Sequence, residues 1–132
     1  MKIAIDFDGT CVEHKFPDVG KDAPGAVDCL KKMVNCGHKI ILNTMRSGEY
    51  LEAAVQWFIQ RDIPLSGINS DPRQSSWTQS PKVYADIYID DAAFGCPLIT
   101  PPGFNRACVD WSAVDDHFFG VKTAAEKEMV VS

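Results

Sequence analysis

Four aspartates stand in two short runs, Asp6 and Asp8 on either side of Phe7, and Asp90-Asp91 late in the chain. In an extended segment residues two apart share a side, so Asp6 and Asp8 can face one pocket while Gly9 lets the chain turn away. Two like unit charges about 4 Å apart repel by about 4 kcal/mol at an effective dielectric of about 20. Carboxylates gathered in one cleft therefore have raised pKa values unless a cation joins them. A hard divalent ion, Mg2+ above all, takes oxygen ligands from one or two carboxylates, water and phosphate. Lys82, just ahead of a later apolar segment, adds a second positive charge. Such a set suits a phosphoryl group, whose oxygens meet the cations while a carboxylate attacks phosphorus.

The acids can act together only if the chain gathers them, and the apolar patterning says how. Ile3-Ala4-Ile5 is a short apolar run that ends in acids, as expected of a strand buried on both faces of a parallel sheet. Cys11 to Gly20 reads as a loop or small hairpin. Pro24 suits the first turn of a helix carrying Val27, Leu30 and Val34 on one face and stopping at Gly37. His38 to Thr44 reads as a second buried strand. Ser47 is an N-cap, Glu49 lies in the first turn, and Leu51, Ala54, Val55, Phe58 and Ile59 repeat at helical spacing. Ser66 to Ser80 is a polar loop of functional length. Val83 to Ile89 forms the third strand. Leu98-Ile99 and Ala107 to Val109 are short strands, Ser112 to Phe119 is a closing helix, and the tail from about residue 121 is helical or frayed. This alternation predicts one α/β domain over residues 1–132 with a mostly parallel sheet. Ligands of such sheets bind beyond the carboxyl ends of the strands. Those ends are marked here by Asp6 and Asp8, by Asn43, Thr44 and Arg46, and by Asp90 and Asp91.

Taken in order, these residues resemble the haloacid dehalogenase (HAD) superfamily of phosphohydrolases. Asp6-Phe7-Asp8-Gly9-Thr10 matches its DxDGT signature, and Thr44, closing an apolar strand, matches the second motif. Lys82 matches the third, and Asp90-Asp91 after Ile87-Tyr88-Ile89 the fourth. The resemblance implies a three-layer, doubly wound Rossmann-like fold and a Mg2+-dependent phosphatase that hydrolyses a phosphomonoester through an aspartyl-phosphate. On that pattern Asp6 is the nucleophile, and Asp8 protonates the leaving oxygen and then deprotonates the incoming water. Thr44, the backbone near Met45, and Gly9 bind phosphoryl oxygens, while Lys82 neutralises their charge and orients Asp6. The metal is held by Asp6, the Asp8 carbonyl and Asp91, with Asp90 supporting. Dehalogenases need no acid at the Asp8 position, so on this resemblance Asp8 favours ester hydrolysis. Neither the stretch from Thr10 to Thr44 nor that from Thr44 to Lys82 has room for a cap domain, which implies a capless member with an open site.

An open site suits an exposed phosphorylated end of a larger molecule, or a phosphorylated small molecule enclosed by a neighbouring subunit of a homo-oligomer. Three further residues lie near substrate on this reading. Arg46 either binds substrate or pairs with a nearby acid, His14 sits in the loop after the signature, and Trp77 in the polar loop either stacks on a substrate ring or anchors the loop. Two alternatives stay open. A receiver-like regulatory module would carry a phosphoryl group without hydrolysing it, although there the lysine follows the acids, whereas Lys82 precedes Asp90-Asp91. A phosphotransferase or polynucleotide 3′-phosphatase would use the same scaffold. Eighteen acids against thirteen Lys/Arg leave a net charge of −5, which counts against a nucleic-acid partner. The chain's 132 residues, 45% hydrophobic and 23% charged, suffice for one core. No apolar run nears the ~20 residues of a membrane span, and Asp6 and Asp8 interrupt the N-terminus before a signal-peptide core can form. Five cysteines without a C-x-x-C pair read as reduced thiols of a cytoplasmic protein.

Overall fold

Short apolar runs between polar turns make short strands, and the computed structural model, which describes residues 1–120, has six of them among its elements. The order is β1 (Lys2–Ile5), α1 (Ala26–Asn35), β2 (Lys39–Leu42), α2 (Gly48–Gln60), β3 (Gly67–Ile68), a 3-10 turn (Gln74–Ser76), β4 (Ile87–Ile89), β5 (Leu98–Ile99), β6 (Cys108–Val109) and α3 (Trp111–Phe119). The tail expected from about residue 121 lies outside the described residues. Four strands form a parallel sheet in the order β3-β2-β1-β4, while β5 and β6 pair antiparallel beside it. The expected α/β fold with a mostly parallel sheet is thus present, and it is Rossmann-like. Among the described residues no helix is long and apolar enough to cross a membrane.

The two faces of the sheet are covered differently. Ile3 and Ile5 pair in register with Ile40 and Leu42, so these four side chains share one face. They join a single cluster with Cys29, Leu30 and Met33 of α1, Ala54, Trp57 and Phe58 of α2, and Trp111 and Val114 of α3. On the opposite face Ala4 and Ile41 meet Val83, with Ala85 packed alongside. That face is covered by the segment 69–86 and its one 3-10 turn. Gln74, buried in this segment, accepts from the Asp71 and Tyr84 amides at 3.0 Å each and donates to the Lys82 carbonyl at 2.9 Å. Asp71 is ion-paired with Lys2 at the start of β1, which holds its carboxyl below the usual range. The segment is therefore tied to the amino edge of the sheet, away from the strand ends that carry the acids.

Three details differ from the sequence reading. Pairing in β4 begins at Ile87, not Val83, because the Lys2 amide donates to Asp86 Oδ2 at 2.7 Å and the Asp86 amide to the Lys2 carbonyl at 2.8 Å. Val83 and Ala85 alternate as a strand does, yet they plug the sheet face. In α2 the buried stripe is Ala54, Trp57 and Phe58, and Ile59 points to solvent. The indole buries more area than Ile59 would, and its Nε1–H donates to Asp22 Oδ1 at 2.8 Å. Finally, β3 emerges from the polar stretch Ser66 to Ser80, two residues being too few for any periodicity to announce them.

Candidate active site

Parallel register decides where the acids meet. Ile5 pairs with both Leu42 and Ile89, so the next residues of β1, β2 and β4 leave the sheet at one edge. The Asp6 amide still donates to the Ile89 carbonyl at 3.0 Å, and the Asn43 amide to the Ile5 carbonyl at 2.8 Å. Beyond these bonds Asp6, Asp90 and Asp91 each offer a carboxylate oxygen, all within 4.8 Å of one another. Burial pushes the Asp6 carboxyl up from 3.8 to about 8, helped by a hydrogen bond shared with Asp91 and by the charge of Asp90. Thr10 opposes this. Its hydroxyl lies 2.9 Å from Asp6 Oδ2, to which it donates, and accepts from the Asp91 amide at 3.2 Å. Thr10 is itself fully buried, its carbonyl accepting from the Trp111 indole at 2.8 Å.

Gly9 makes this crowding sterically feasible. Its φ of +81° suits glycine, and a Cβ there would stand 2.4 Å from Asp91 Oδ2. Its amide donates to the Val12 carbonyl at 2.9 Å. Gly9 is therefore not the phosphate ligand expected from the sequence, since its N–H is already used in the turn.

Asp8 points elsewhere. Both its oxygens accept from Arg46, Oδ2 from Nε and Oδ1 from Nη2, each at 2.7 Å. The other guanidinium protons go to the Pro17, Tyr50 and Asp18 carbonyls, so all five donors are satisfied. The guanidinium is buried and lies between the Phe7 and Phe16 rings, 5.1 Å from each centroid. Of the two readings of Arg46, pairing with an acid is the observed one, and a group with no free donor is not a substrate ligand. The Asp8 carboxylate correspondingly stands outside the cluster that could hold a metal.

The cleft in front of the acids has a volume of about 420 Å³. Asp6, Asp8, Thr44, Asp90 and Asp91 line it, with His14, Phe16, Met45, Ala92 and Arg106 toward solvent. Thr44 is oriented by its amide, which donates to Asn69 Oδ1 at 2.8 Å, and its hydroxyl accepts from the Arg46 amide at 3.2 Å. The fully exposed Met45 stands at the mouth. Two expected residues are not brought in. Lys82 lies exposed, its Nζ 5.5 Å from the Tyr88 ring centroid and without an ion pair to Asp6, Asp90 or Asp91 among the described residues. The chain from Val83 to Asp86 first crosses the sheet face, which turns Lys82 toward Tyr88. Trp77 does not line the cleft either; it packs edge-on against Tyr84 at 5.5 Å, as a loop anchor. Sequence reasoning gave no role to the buried Thr10 hydroxyl and passed over Arg106. The signature threonine was a signal for the first, and nothing local marks the second.

A carboxyl kept protonated by its surroundings weakens the fold as pH rises. Unfolded, Asp6 ionises near its ordinary value; folded and metal-free, it keeps its proton to about pH 8. Between those values the native state binds more protons than the unfolded one, so stability falls with rising pH and levels off above about 8. Melting curves of wild type and Asp6→Asn in a chelator read the contribution of Asp6 together with its coupling to Asp90 and Asp91, because the more distant carboxylates cancel. The Asn variant is expected to gain stability over wild type steadily across the window; a constant difference would contradict the protonated Asp6.

Fold and site together define a Rossmann-like α/β protein with an acid-lined cleft at the carboxyl edge of its parallel sheet. Family models give no match to this chain, and neither do the curated proteins. Among solved structures, that of a conserved protein from Bacteroides thetaiotaomicron matches with a TM-score of 0.75 and 34% identity, over 98% of this chain and 98% of that one. The chain belongs to the same family as that conserved protein.

Proposed function

We propose that this chain is an HAD-like hydrolase, a Mg2+-dependent phosphatase that cleaves phosphomonoesters through Asp6. One observation carries the reading: Asp6, Asp90 and Asp91 converge within 4.8 Å at the ends of adjacent parallel strands. Three carboxylates this close are tenable together either by keeping a proton, as Asp6 does, or by sharing a cation. The donor set is all oxygen, which fits a hard ion such as Mg2+. In the proposed fold the third layer of the HAD arrangement is reduced to the segment 69–86. The five free cysteines fit a reducing, cytoplasmic setting.

When bound, Mg2+ supplies the positive charge that keeps Asp6 ionised and withdraws electrons from the phosphoryl group. Asp6 attacks phosphorus in line, the bond to the leaving oxygen breaks, and an aspartyl-phosphate forms. Asp8 delivers a proton to that leaving oxygen and then takes one from the water that hydrolyses the intermediate. A carboxylate has about four lone-pair sites, and Arg46 occupies two of those on Asp8. One site on each oxygen thus stays available for the transferred proton. Thr44 and the Met45 amide border the cleft where phosphoryl oxygens would lie.

The test is phosphate release from an aryl phosphate, sugar phosphates and nucleotides, with millimolar Mg2+ and with a chelator. Turnover that appears only with Mg2+ is the expected result. Absence of release from every ester in both conditions would end the phosphatase reading.

A further inference from the structure

Among the described residues, two guanidinium groups line the cleft, and only one of them is committed. Arg46 spends every donor on Asp8 and on carbonyls. Arg106 lies exposed at the mouth and has no carboxylate within ion-pair distance among the described residues, although Asp6, Asp90 and Asp91 line the same cleft. Its placement is not that of a loose surface side chain. The loop that carries it, between β5 and β6, is tied to the signature loop by the buried Glu13, whose carboxylate accepts from the Asn105 amide at 2.9 Å. Phe104 packs against the core, and the Val109 amide donates to the Gly9 carbonyl at 3.1 Å. The backbone on both sides of Arg106 is therefore bound to the segment that bears Asp6 and Asp8.

The cleft is chemically graded. Its floor is acidic, suited to a metal and the reacting phosphoryl group. Its mouth combines Phe16, Met45 and Ala92 with the Arg106 cation. A volume of about 420 Å³ lies within the roughly 300–1,000 Å³ of small-molecule sites, so a small ester can lodge in it entirely. We propose that Arg106 determines the specificity of this cleft by receiving a second anionic group, a carboxylate or a phosphate, at the far end of a small phosphomonoester; this rests on the phosphatase reading. A planar guanidinium with free donors matches either oxyanion by paired, charge-assisted hydrogen bonds.

Three phosphate esters of one chain length, ending in a hydroxyl, a carboxylate or a second phosphate, separate the outcomes. Wild type is expected to favour one or both anionic esters over the hydroxyl ester by about tenfold or more in kcat/KM, and the preferred one names the second group. Arg106→Gln is expected to shrink that preference to about threefold or less, and Arg106→Glu to invert it. Equal kcat/KM for the three esters in wild type, or a preference that survives both substitutions, overturns the role of Arg106 while the phosphatase reading stands. A wild type that hydrolyses none of the three, nor any ester of the broader screen, overturns both.

Discussion

Replacing Asp6 with Asn is expected to abolish Mg2+-dependent phosphate release, with kcat falling by about ten-thousand-fold or more, because an amide cannot form the covalent intermediate. The same substitution removes a carboxyl whose burial penalises ionisation, so the metal-free variant is more stable than wild type near pH 8. The two effects have opposite signs, and that makes the experiment clean: an inactive protein that melts higher has lost a nucleophile, not its fold. Full activity in this variant would remove Asp6 from the reaction and the proposed mechanism with it. The measurements are steady-state release from an aryl phosphate and thermal melts at several pH values, each with Mg2+ and with a chelator.

Arg46→Met is expected to be the most damaging change outside the acid cluster. It leaves the mostly buried Asp8 carboxyl without its partner, and strips donors from the Pro17, Asp18 and Tyr50 carbonyls. Removing one member of a buried pair costs about 3–5 kcal/mol, readable as a shift of the urea midpoint. Replacing both members, as in Asp8→Leu with Arg46→Met, should recover part of that loss, since no orphaned charge remains. Measured well below its melting temperature, Arg46→Met is expected to lower kcat by about a hundredfold and to displace the pH–rate limb belonging to proton transfer. Arg46→Lys should restore little, because an ammonium cannot reproduce two parallel bonds to a carboxylate and three more to carbonyls. An unchanged pH profile in a folded Arg46→Met protein would make Arg46 purely structural.

The convergence of Asp6, Asp90 and Asp91 was legible in the sequence because it rests on a local rule. Each of these acids follows an apolar run, and strands that run parallel deliver their next residues to the same edge. Thr44 was legible for the same reason. The partner of Arg46 was not, because it depends on how the 11–20 loop folds back over the end of β2, a packing outcome that no spacing encodes. Lys82 shows the reverse failure. Its distance from Asp90 along the chain suits a site lysine, yet the stretch from Val83 to Asp86 spends that length covering Ala4 and Ile41, and the side chain ends over Tyr88.

What the residues alone determined is three of the four parallel strands, β1, β2 and β4, the direction they share and the acids at their ends, since burial on both faces forces short apolar runs into a parallel sheet and the carboxylates follow by register. What the tertiary structure decided is the use of the cations. Arg46 is consumed by Asp8, Lys82 is turned away, and Arg106 arrives on a hairpin anchored through Glu13. Long flexible side chains take their partners from whatever packing leaves within reach, so their assignments appear only once the loops are in place.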